Sequence, residues 1–229
     1  MKKFLLAFAA IATCMTVAAQ NPFNSDDNHR YFGVRLGLDL TCPSKVSSSF
    51  NHTSISTDLL KTGAGFNAGV IYNMPIFMNL YFEPGVNLYY HTYKFNKDLI
   101  DEAFEEDYTG ASIREFGISV PLVVGYHFDF EPIKLRVFTG PVFNVGIKGS
   151  VHVSDKSGSI EMEGSDGIYE EGGINRSNIS WRFGAGIDYK QFNFSIYGDP
   201  ELTNACHNEK NSNFKFHRNV VSFTLGYNF

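Results

Sequence analysis

The sequence predicts an all-β protein, an eight-stranded antiparallel up-and-down transmembrane β-barrel, and three observations lead to this fold class. The amino terminus has the features of a secretory signal, and the carboxyl terminus is a strand with apolar residues at every second position. Seven earlier segments repeat that alternation. Only helices and closed barrels satisfy every backbone polar group in hydrocarbon, so an exported chain without a long apolar helix can span a membrane only as a barrel.

The amino-terminal segment is predicted to be a signal peptide that is cleaved after Ala19. Lys2 and Lys3 form a positively charged start, and an uncharged, largely apolar run follows from 4 to 17. The segment 17–19 then supplies the small or β-branched residues that a signal peptidase reads. We therefore expect the mature chain to be exported.

This cleavage divides the chain into three parts: a signal peptide over 1–19, a short periplasmic segment over 20–29 and an outer membrane β-barrel over 30–229. An uncleaved anchor is the first alternative, but the apolar run is shorter than the roughly 20 residues of a membrane-spanning helix. A lipoprotein signal is the second, and it would use Cys14, which follows a poorly suited threonine.

The carboxyl-terminal strand has one apolar and one polar face, because successive side chains of a strand point in opposite directions. It resembles the carboxyl-terminal signal of outer-membrane barrels, which ends in Phe, so we expect the barrel-assembly machinery to bind it. The alternative is an ordinary half-buried strand. The predicted signal consists of Phe223, Leu225, Tyr227 and Phe229.

Short and long connections alternate between the predicted strands. Short turns are expected around 74–76, 129–132 and 190–191, and the long connections are 41–60, 95–110, 149–178 and 198–216. Outer-membrane barrels have short periplasmic turns and long extracellular loops. We therefore expect the apolar face, which includes Leu36, Leu122 and Phe223, to meet lipid.

Composition supports a barrel and excludes one class of partner. Aromatic residues make up 15% of the chain and charged residues 19%, and the mean hydropathy is only −0.15, as expected when apolar and polar residues alternate. The net charge of −5 disfavours nucleic acid, whose phosphates need a basic surface. The expected location is the cell outer membrane, with its lipid and lipopolysaccharide as partners.

Four short segments resemble the PorT-like outer-membrane β-barrel family of Gram-negative bacteria. They are 82–86 in the third strand, 118–122 in the fourth, 139–141 in the fifth and 184–189 in the sixth. The resemblance implies a small barrel in the outer membrane and, since a founding member is associated with secretion and gliding, partners in a secretion apparatus. The family has no catalytic motif. The segment 198–200 departs from the longer seventh strand of the family.

Five charged residues fall on the polar, inward-facing side of the predicted strands. An eight-stranded barrel is filled by its own side chains, and an unpaired buried charge is unfavourable. We therefore expect an interior ion-pair network that neutralises itself, and the alternative is a gated path for protons or ions. The five residues are Arg35, Asp39, Glu83, Arg182 and Asp188.

Two cysteines remain after cleavage, and export permits a disulfide between them. Cys42 follows the first strand, and Cys206 lies in the connection before the eighth strand. Barrel closure makes these two strands neighbours. We therefore predict a disulfide between Cys42 and Cys206 at the extracellular rim.

The functional prediction is a non-enzymatic barrel with long extracellular loops, without a catalytic, cofactor or metal site. None of the seven histidines belongs to a motif for a nucleophile or a metal. The alternatives are a component of an outer-membrane secretion apparatus, a lipid-modifying barrel enzyme that uses His52 and Asp58 with nearby serines, and a soluble lipocalin-like barrel. The last would have its apolar residues inside.

Overall fold

The computed structural model describes residues 30–50, 53–57, 60–96, 108–155, 158–162, 167–169, 173–206 and 214–229. The predicted signal peptide and the segment 20–29 lie outside these described residues. Eight long strands form the body of the molecule. They are β1 (Tyr31–Pro43), β2 (Gly63–Phe77), β3 (Leu80–Phe95), β4 (Tyr108–Phe130), β5 (Ile133–Asp155), β6 (Ser177–Tyr189), β7 (Phe192–Asp199) and β8 (Arg218–Asn228).

The sheet closes on itself as an antiparallel barrel. Each strand pairs with the next along the chain, and β8 returns to pair with β1. The closing register runs from Gly33 opposite Asn228 to Pro43 opposite Arg218. Closure leaves the eight strands without an unpaired edge. The predicted eight-stranded up-and-down barrel is confirmed.

The two ends of the barrel differ in their connections. At one end, here called the short-turn end, Met78 and Lys190 adopt positive φ angles in tight turns, and Pro132 makes the third turn between β4 and β5. The opposite, long-loop end carries the four long connections. Five short strands lie in these connections: Val46–Phe50, Thr53–Thr57, Leu60–Lys61, Gly158–Met162 and Phe214–Lys215.

The strands β4 and β5 are much longer than the alternation predicts. Each has 23 residues, whereas a membrane-spanning strand needs about 9–11. The hairpin therefore continues beyond the bilayer at the long-loop end, and Gly158–Met162 adds to its edge there. Pro141 does not interrupt β5, because it remains paired with Trp181 of β6. On the other side of β5, the pairing with β4 is absent between Val142 and Thr139.

The connections at the long-loop end are also tied to one another. Val46–Phe50 pairs with Thr53–Thr57 on one side and with Phe214–Lys215 on the other, which makes a small separate sheet. This sheet joins the connection after β1 to the connection before β8. A single turn of 3₁₀-helix, Gly167–Tyr169, lies in the connection between β5 and β6.

The apolar side chains face outward and the polar side chains face inward. Leu36 and Leu225 are 65% and 66% exposed on the outer wall, whereas Asp39 and Ser222 are 2% exposed inside. The predicted direction of the two faces is confirmed, and the soluble lipocalin-like alternative, which requires the opposite arrangement, is wrong. No helix in the described residues is long and apolar enough to cross a bilayer.

Candidate functional site

The interior of the barrel gathers the charged and polar side chains that could carry a function. The five residues predicted to face inward, Arg35, Asp39, Glu83, Arg182 and Asp188, are all buried. They come from β1, β3 and β6, and each stands on the side of its strand opposite the lipid-facing residues. Their partners divide the interior into two charged clusters with a polar layer between them.

The first cluster, here called the Glu83 cluster, lies toward the short-turn end and consists of Glu83, Arg136, Asn73, Asn193 and Ser195. Arg136 Nη1 donates to Glu83 Oε2 at 3.0 Å, and its Nη2 donates to Ser195 Oγ at 3.0 Å and Asn193 Oδ1 at 3.3 Å. Asn73 also donates to Glu83 at 3.5 Å. Every member of the cluster belongs to a barrel strand.

Asp188 is linked to the Glu83 cluster through a hydrogen bond from Asn193 and forms no direct ion pair with an arginine among the described residues. Asn193 Nδ2 donates to Asp188 Oδ1 at 2.6 Å, and His127 Nε2 lies 3.7 Å from Asp188 Oδ2. The His127 ring stacks on Tyr81, with 4.3 Å between the centroids. Asp188 is therefore held by an amide and a histidine near the short-turn end.

The middle layer contains two separate groups around Asp39 and Arg182. Asp39 accepts hydrogen bonds of 2.6 Å from Asn67 and Ser222, and its other oxygen lies 2.9 Å from His91 Nε2. Arg182 makes a two-point contact with Asp199, with nitrogen–oxygen distances of 2.8 Å and 2.6 Å. This bidentate geometry fixes the guanidinium strongly.

The second cluster, here called the Arg218 cluster, lies toward the long-loop end and consists of Arg218, Glu115, Glu201, Tyr89 and Tyr169. Arg218 Nη1 lies 3.0 Å and 3.1 Å from the two Glu115 oxygens, and its Nη2 lies 3.2 Å from Glu201. The hydroxyls of Tyr89 and Tyr169 donate to Glu115 at 3.1 Å and 3.0 Å. Glu201 and Tyr169 come from the long connections.

The Arg218 cluster holds two carboxylates against one guanidinium. Burial raises the pKa of Glu201 above its ordinary range, and the nearby Glu115 charge raises it further, although Arg218 acts in the opposite direction. An apolar group that includes Tyr93, Ile113 and Phe216 packs beside this cluster. The connections therefore close the long-loop end with both polar and apolar contacts.

Two small cavities lie in the interior between the described residues. One cavity of about 40 Å³ is lined by residues that include Asp39, His91 and Glu115, and one of about 30 Å³ is lined by residues that include Arg35 and Arg136. A water molecule needs about 10–15 Å³ on this measure, so each cavity has room for only a few small particles. This is the filled interior expected of an eight-stranded barrel.

The ion pairs found in the described residues join none of the five predicted charges to another of the five. Glu83 pairs with Arg136 and Arg182 pairs with Asp199. The strand alternation specifies that a side chain faces inward, but its height and position around the barrel determine its partner. Arg35 forms no direct ion pair in the described part of the chain, although the charges of Glu83 and Asp188 act on it from farther away.

Sequence reasoning missed five charged residues of the interior: Arg136, Glu115, Asp199, Arg218 and Glu201. Arg136 stands between the outward-facing Leu135 and Val137 of β5, and Glu115 precedes the outward-facing Phe116 of β4. The inward direction of both could therefore have been read from the alternation. Arg218 shares the inward side of Ser222 and Thr224 in β8. Glu201 lies outside the barrel strands, and no sequence pattern indicates its burial.

Two inward tyrosines were also missed, although the neighbouring glycines were a usable signal. Tyr81 stands opposite Gly125, and Tyr89 stands opposite Gly117, in the register of β3 and β4. In each pair the tyrosine ring occupies the position that a Cβ atom would take if the glycine were replaced by another residue. Glycine is therefore required at both positions because an aromatic ring lies directly against the backbone.

The predicted disulfide is absent from the structure, where Cys42 and Cys206 are both free thiols. The two side chains lie in different surroundings. Cys42 shares the outward-facing alternation of Leu40 in β1, whereas Cys206 packs against the buried apolar group beside the Arg218 cluster. Neighbouring strands are therefore not sufficient to bring these two sulfur atoms together.

The remaining site predictions concern catalysis and metals. His52 and Asp58, the residues proposed for a lipid-modifying enzyme, lie outside the described residues. Within the part of the chain that the structure describes, no group of three or more His, Cys, Asp or Glu side chains could hold a metal ion. The carboxyl-terminal residues Phe223, Leu225, Tyr227 and Phe229 all lie on the outer side of β8 or directly after it.

A closed antiparallel barrel with an apolar outer wall and a polar interior defines the class of integral outer-membrane β-barrel proteins. The family model described as "Outer membrane protein beta-barrel domain" matches residues 18–206. The chain belongs to this family, and its location is the outer membrane. Outer-membrane barrels carry short turns on their periplasmic side and long loops on the outside of the cell.

Three solved outer-membrane proteins are similar to this chain at low identity. The outer membrane protein OprG from Pseudomonas aeruginosa is 10% identical, with 88% of this chain and 97% of that chain covered and a TM-score of 0.49. The attachment invasion locus protein Ail of Yersinia pestis, in complex with the heparin analogue sucrose octasulfate, is 15% identical, with 88% and 99% covered and a TM-score of 0.42. Neisserial surface protein A is 13% identical, with 86% and 97% covered and a TM-score of 0.38. No curated protein matches the sequence.

Proposed function

We propose that this protein is a non-enzymatic outer-membrane barrel that acts through the surface it presents outside the cell and not through its lumen. The observation that carries this proposal is that two clusters of charged side chains fill the lumen at different heights. An ion crossing the barrel would have to pass the Glu83 cluster and then the Arg218 cluster, where every arginine is held by a carboxylate. Breaking a buried ion pair is strongly unfavourable, so the lumen is a poor path.

The extracellular surface is the remaining candidate for the role. The hairpin of β4 and β5 extends past the bilayer, and Gly158–Met162 widens it. The small sheet around Val46–Phe50 links two of the long connections. A β-structured surface is ordered before a partner arrives, which lowers the entropy cost of binding. We therefore propose a macromolecular partner outside the cell, with lipid and lipopolysaccharide around the barrel wall.

Conductance and crosslinking together test this proposal. The purified barrel, inserted into planar bilayers, is expected to give no discrete conductance steps. A photoreactive residue at the exposed position Lys148, near the long-loop end of β5, is expected to crosslink a macromolecule on intact cells. The matched control is the same residue at Phe183 on the lipid-facing wall. Steady ion flow through the barrel, or equal crosslinking at both positions, would contradict the proposal.

A component of a secretion apparatus is the second candidate, and the PorT-like resemblance in 82–86, 118–122, 139–141 and 184–189 favours it. A strain lacking this protein would then stop exporting cargo while its other outer-membrane barrels still assemble. Normal secretion in that strain would exclude this role. Complementation with a chain whose extracellular segment 156–176 is replaced by a short turn would show whether secretion needs the surface.

The third candidate is a lipid-modifying enzyme that uses His52 and Asp58. Turnover of lipid by the purified barrel, lost on His52→Ala or Asp58→Ala with folding unchanged, would support it and would contradict the non-enzymatic proposal. We also propose that the barrel-assembly machinery binds Phe223, Leu225, Tyr227 and Phe229. Removal of the terminal Phe229 is then expected to slow assembly, measured by the appearance of the heat-modifiable folded form.

A further inference from the structure

Three neighbouring strand interfaces of the barrel, β2–β3, β3–β4 and β4–β5, each lack two consecutive pairs of the backbone ladder within the described strands. The missing pairs are 72–73 with 83–84, 85–86 with 120–121 and 122–123 with 140–141. Each gap contains one proline: Pro84, Pro121 or Pro141. The other five interfaces, from β5 through β8 and β1 to β2, are paired without a break. The barrel therefore has a continuous wall and an interrupted one, here called the proline wall, which consists of β2 to β5 at the three gaps.

Proline explains the gaps, because it has no N–H group to donate to the neighbouring strand. The register is the same on both sides of each gap, as between Pro84 opposite Leu122 and Asn87 opposite Ser119, so no extra residue is inserted there. Val86 beside one gap is 48% exposed on the outer wall, which places the gap next to lipid. Hydrocarbon offers no water to replace a missing bond. The proline wall is therefore held sideways more weakly than the continuous wall.

Side chains of the Glu83 cluster brace the proline wall from the inside. Asn73 and Glu83 would form one of the missing backbone pairs, and their side chains are instead joined by a hydrogen bond of 3.5 Å. Arg136 of β5 donates to Glu83 of β3 at 3.0 Å, although β4 lies between these two strands. Glu83 thus links β2, β3 and β5 at the height where the ladder is interrupted.

The cavity of about 30 Å³ lies directly behind the proline wall. Pro121 and Val123 of β4 line it, together with the apolar side chains of Ile71 in β2 and Phe138 in β5. Asn67 also lines it, and its Oδ1 has no hydrogen-bond partner among the described residues. Parting of the strands at the gaps would join this cavity to the hydrocarbon of the bilayer. A molecule that enters from there has to be uncharged, because moving a charge out of water is costly.

We propose that β4 parts locally from β3 and β5 at the three prolines and admits the polar end of an uncharged amphiphile, such as a long-chain alcohol, from the bilayer into this cavity. The hydroxyl donates to Asn67 Oδ1, and the chain contacts Val123 and Phe138. The cavity widens only when the wall opens, and local opening costs less than unfolding because only the pairs beside the gaps break. The Glu83 cluster limits the opening because it links β3 to β5. This route ends inside the barrel and leaves both charged clusters in place across the lumen, so it goes beyond the surface role proposed above.

Distances between spin labels test the opening. Labels on Val86 of β3 and Phe143 of β5 stand on either side of β4 at the gaps, in a chain whose two free thiols are replaced by serine. In lipid nanodiscs we expect a second population whose distance is longer by about 5 Å, one spacing between strands. The matched control is Ile187 of β6 with Leu225 of β8, on either side of β7 in the continuous wall, which should give a single population.

The double variant Pro84→Ala and Pro141→Ala tests the cause of the opening. Both prolines stand on the outer side of their strands, so the changes restore two N–H donors and leave the cavity lining unchanged. The longer-distance population is expected to fall about tenfold, because the restored hydrogen bonds stabilise the closed wall. Single populations in both labelled pairs, or a long distance that persists in the double variant, would overturn the proposal.

A photoreactive long-chain alcohol in the same nanodiscs tests the ligand. Mass spectrometry is expected to find adducts on the inward-facing Val123 or Phe138 of the wild type, and about tenfold fewer in the double variant, where the wall stays closed. The control is the lipid-facing Val137, whose adducts should not change. Adducts confined to lipid-facing residues in the wild type would also overturn the proposal.

Discussion

The two charged clusters of the interior are built in different ways. The Glu83 cluster takes every member from a barrel strand, and its single ion pair joins β3 to β5. The Arg218 cluster takes Arg218 and Glu115 from strands but Glu201 and Tyr169 from long connections. The first cluster therefore ties barrel strands to one another, and the second ties the long connections to the barrel.

This difference separates two kinds of stability. Removing a strand-borne partner near the short-turn end leaves a charge that cannot reach water unless the barrel opens. Removing a partner near the long-loop end lets the connections move away and water enter. The first change therefore lowers the free energy of global unfolding. The second change lowers it less, because part of the effect appears as local opening of the connections.

The largest effect is expected for Glu83→Gln, which leaves Arg136 buried without its carboxylate. We expect a loss of about 3–5 kcal/mol in the free energy of unfolding, as for other broken buried pairs. Urea unfolding in vesicles, followed by the fluorescence of the single Trp181, measures it. The control Asp129→Asn breaks the half-exposed contact with Lys134 and is expected to cost under about 1 kcal/mol. Similar losses in both variants would contradict the buried-pair interpretation.

A smaller global effect is expected for Arg218→Met, which removes the one cation between Glu115 and Glu201. We expect a loss of about 2–3 kcal/mol, less than for a sealed pair, because water and protons can reach the carboxylates once the connections open. Limited proteolysis should cut the variant within 156–206 before the barrel unfolds. Lys94→Met is the control. Global unfolding without earlier cleavage would remove the distinction between the two ends.

The third prediction concerns pH and the raised pKa of Glu201. The folded protein binds this proton more tightly than the unfolded chain, whose carboxyl titrates near 4.5. The stabilisation is therefore fully present below that value and is lost as the pH rises through the folded pKa. Hydrogen exchange at the Ala205 amide, which donates to the Phe216 carbonyl, should show protection that falls over this range. Glu201→Gln should remove the dependence, and an unchanged pH profile in that variant would contradict the assignment.

The smallest effect is expected for Tyr169→Phe. The change removes one hydroxyl that donates to Glu115 and should cost about 0.5–1.5 kcal/mol. Tyr89→Phe removes the equivalent bond from a barrel strand. If the connections are the weaker region, proteolysis of 156–176 should accelerate in Tyr169→Phe but not in Tyr89→Phe. Equal acceleration would show that both tyrosines belong to one cooperative unit.

Most of the barrel follows from the alternation in the sequence. Residues such as Leu36 and Asp39 indicate the outward and inward faces of β1, because a strand places successive side chains on opposite sides. The same rule could have identified Glu115 and Arg136. It could not identify Glu201, because a residue in an irregular connection has no period. The lengths of β4 and β5 were also underestimated, since no alternation of apolar residues is needed beyond the bilayer.

The sequence by itself determined an exported chain with alternating strands, sorted connections and an inward set of charges. Only the tertiary structure decided which charges meet, for example that Glu83 pairs with Arg136 and Arg182 pairs with Asp199. The physical reason is that alternation is a local property of one strand. The height of a side chain in the lumen and its neighbours around the barrel depend on the register of all eight strands together.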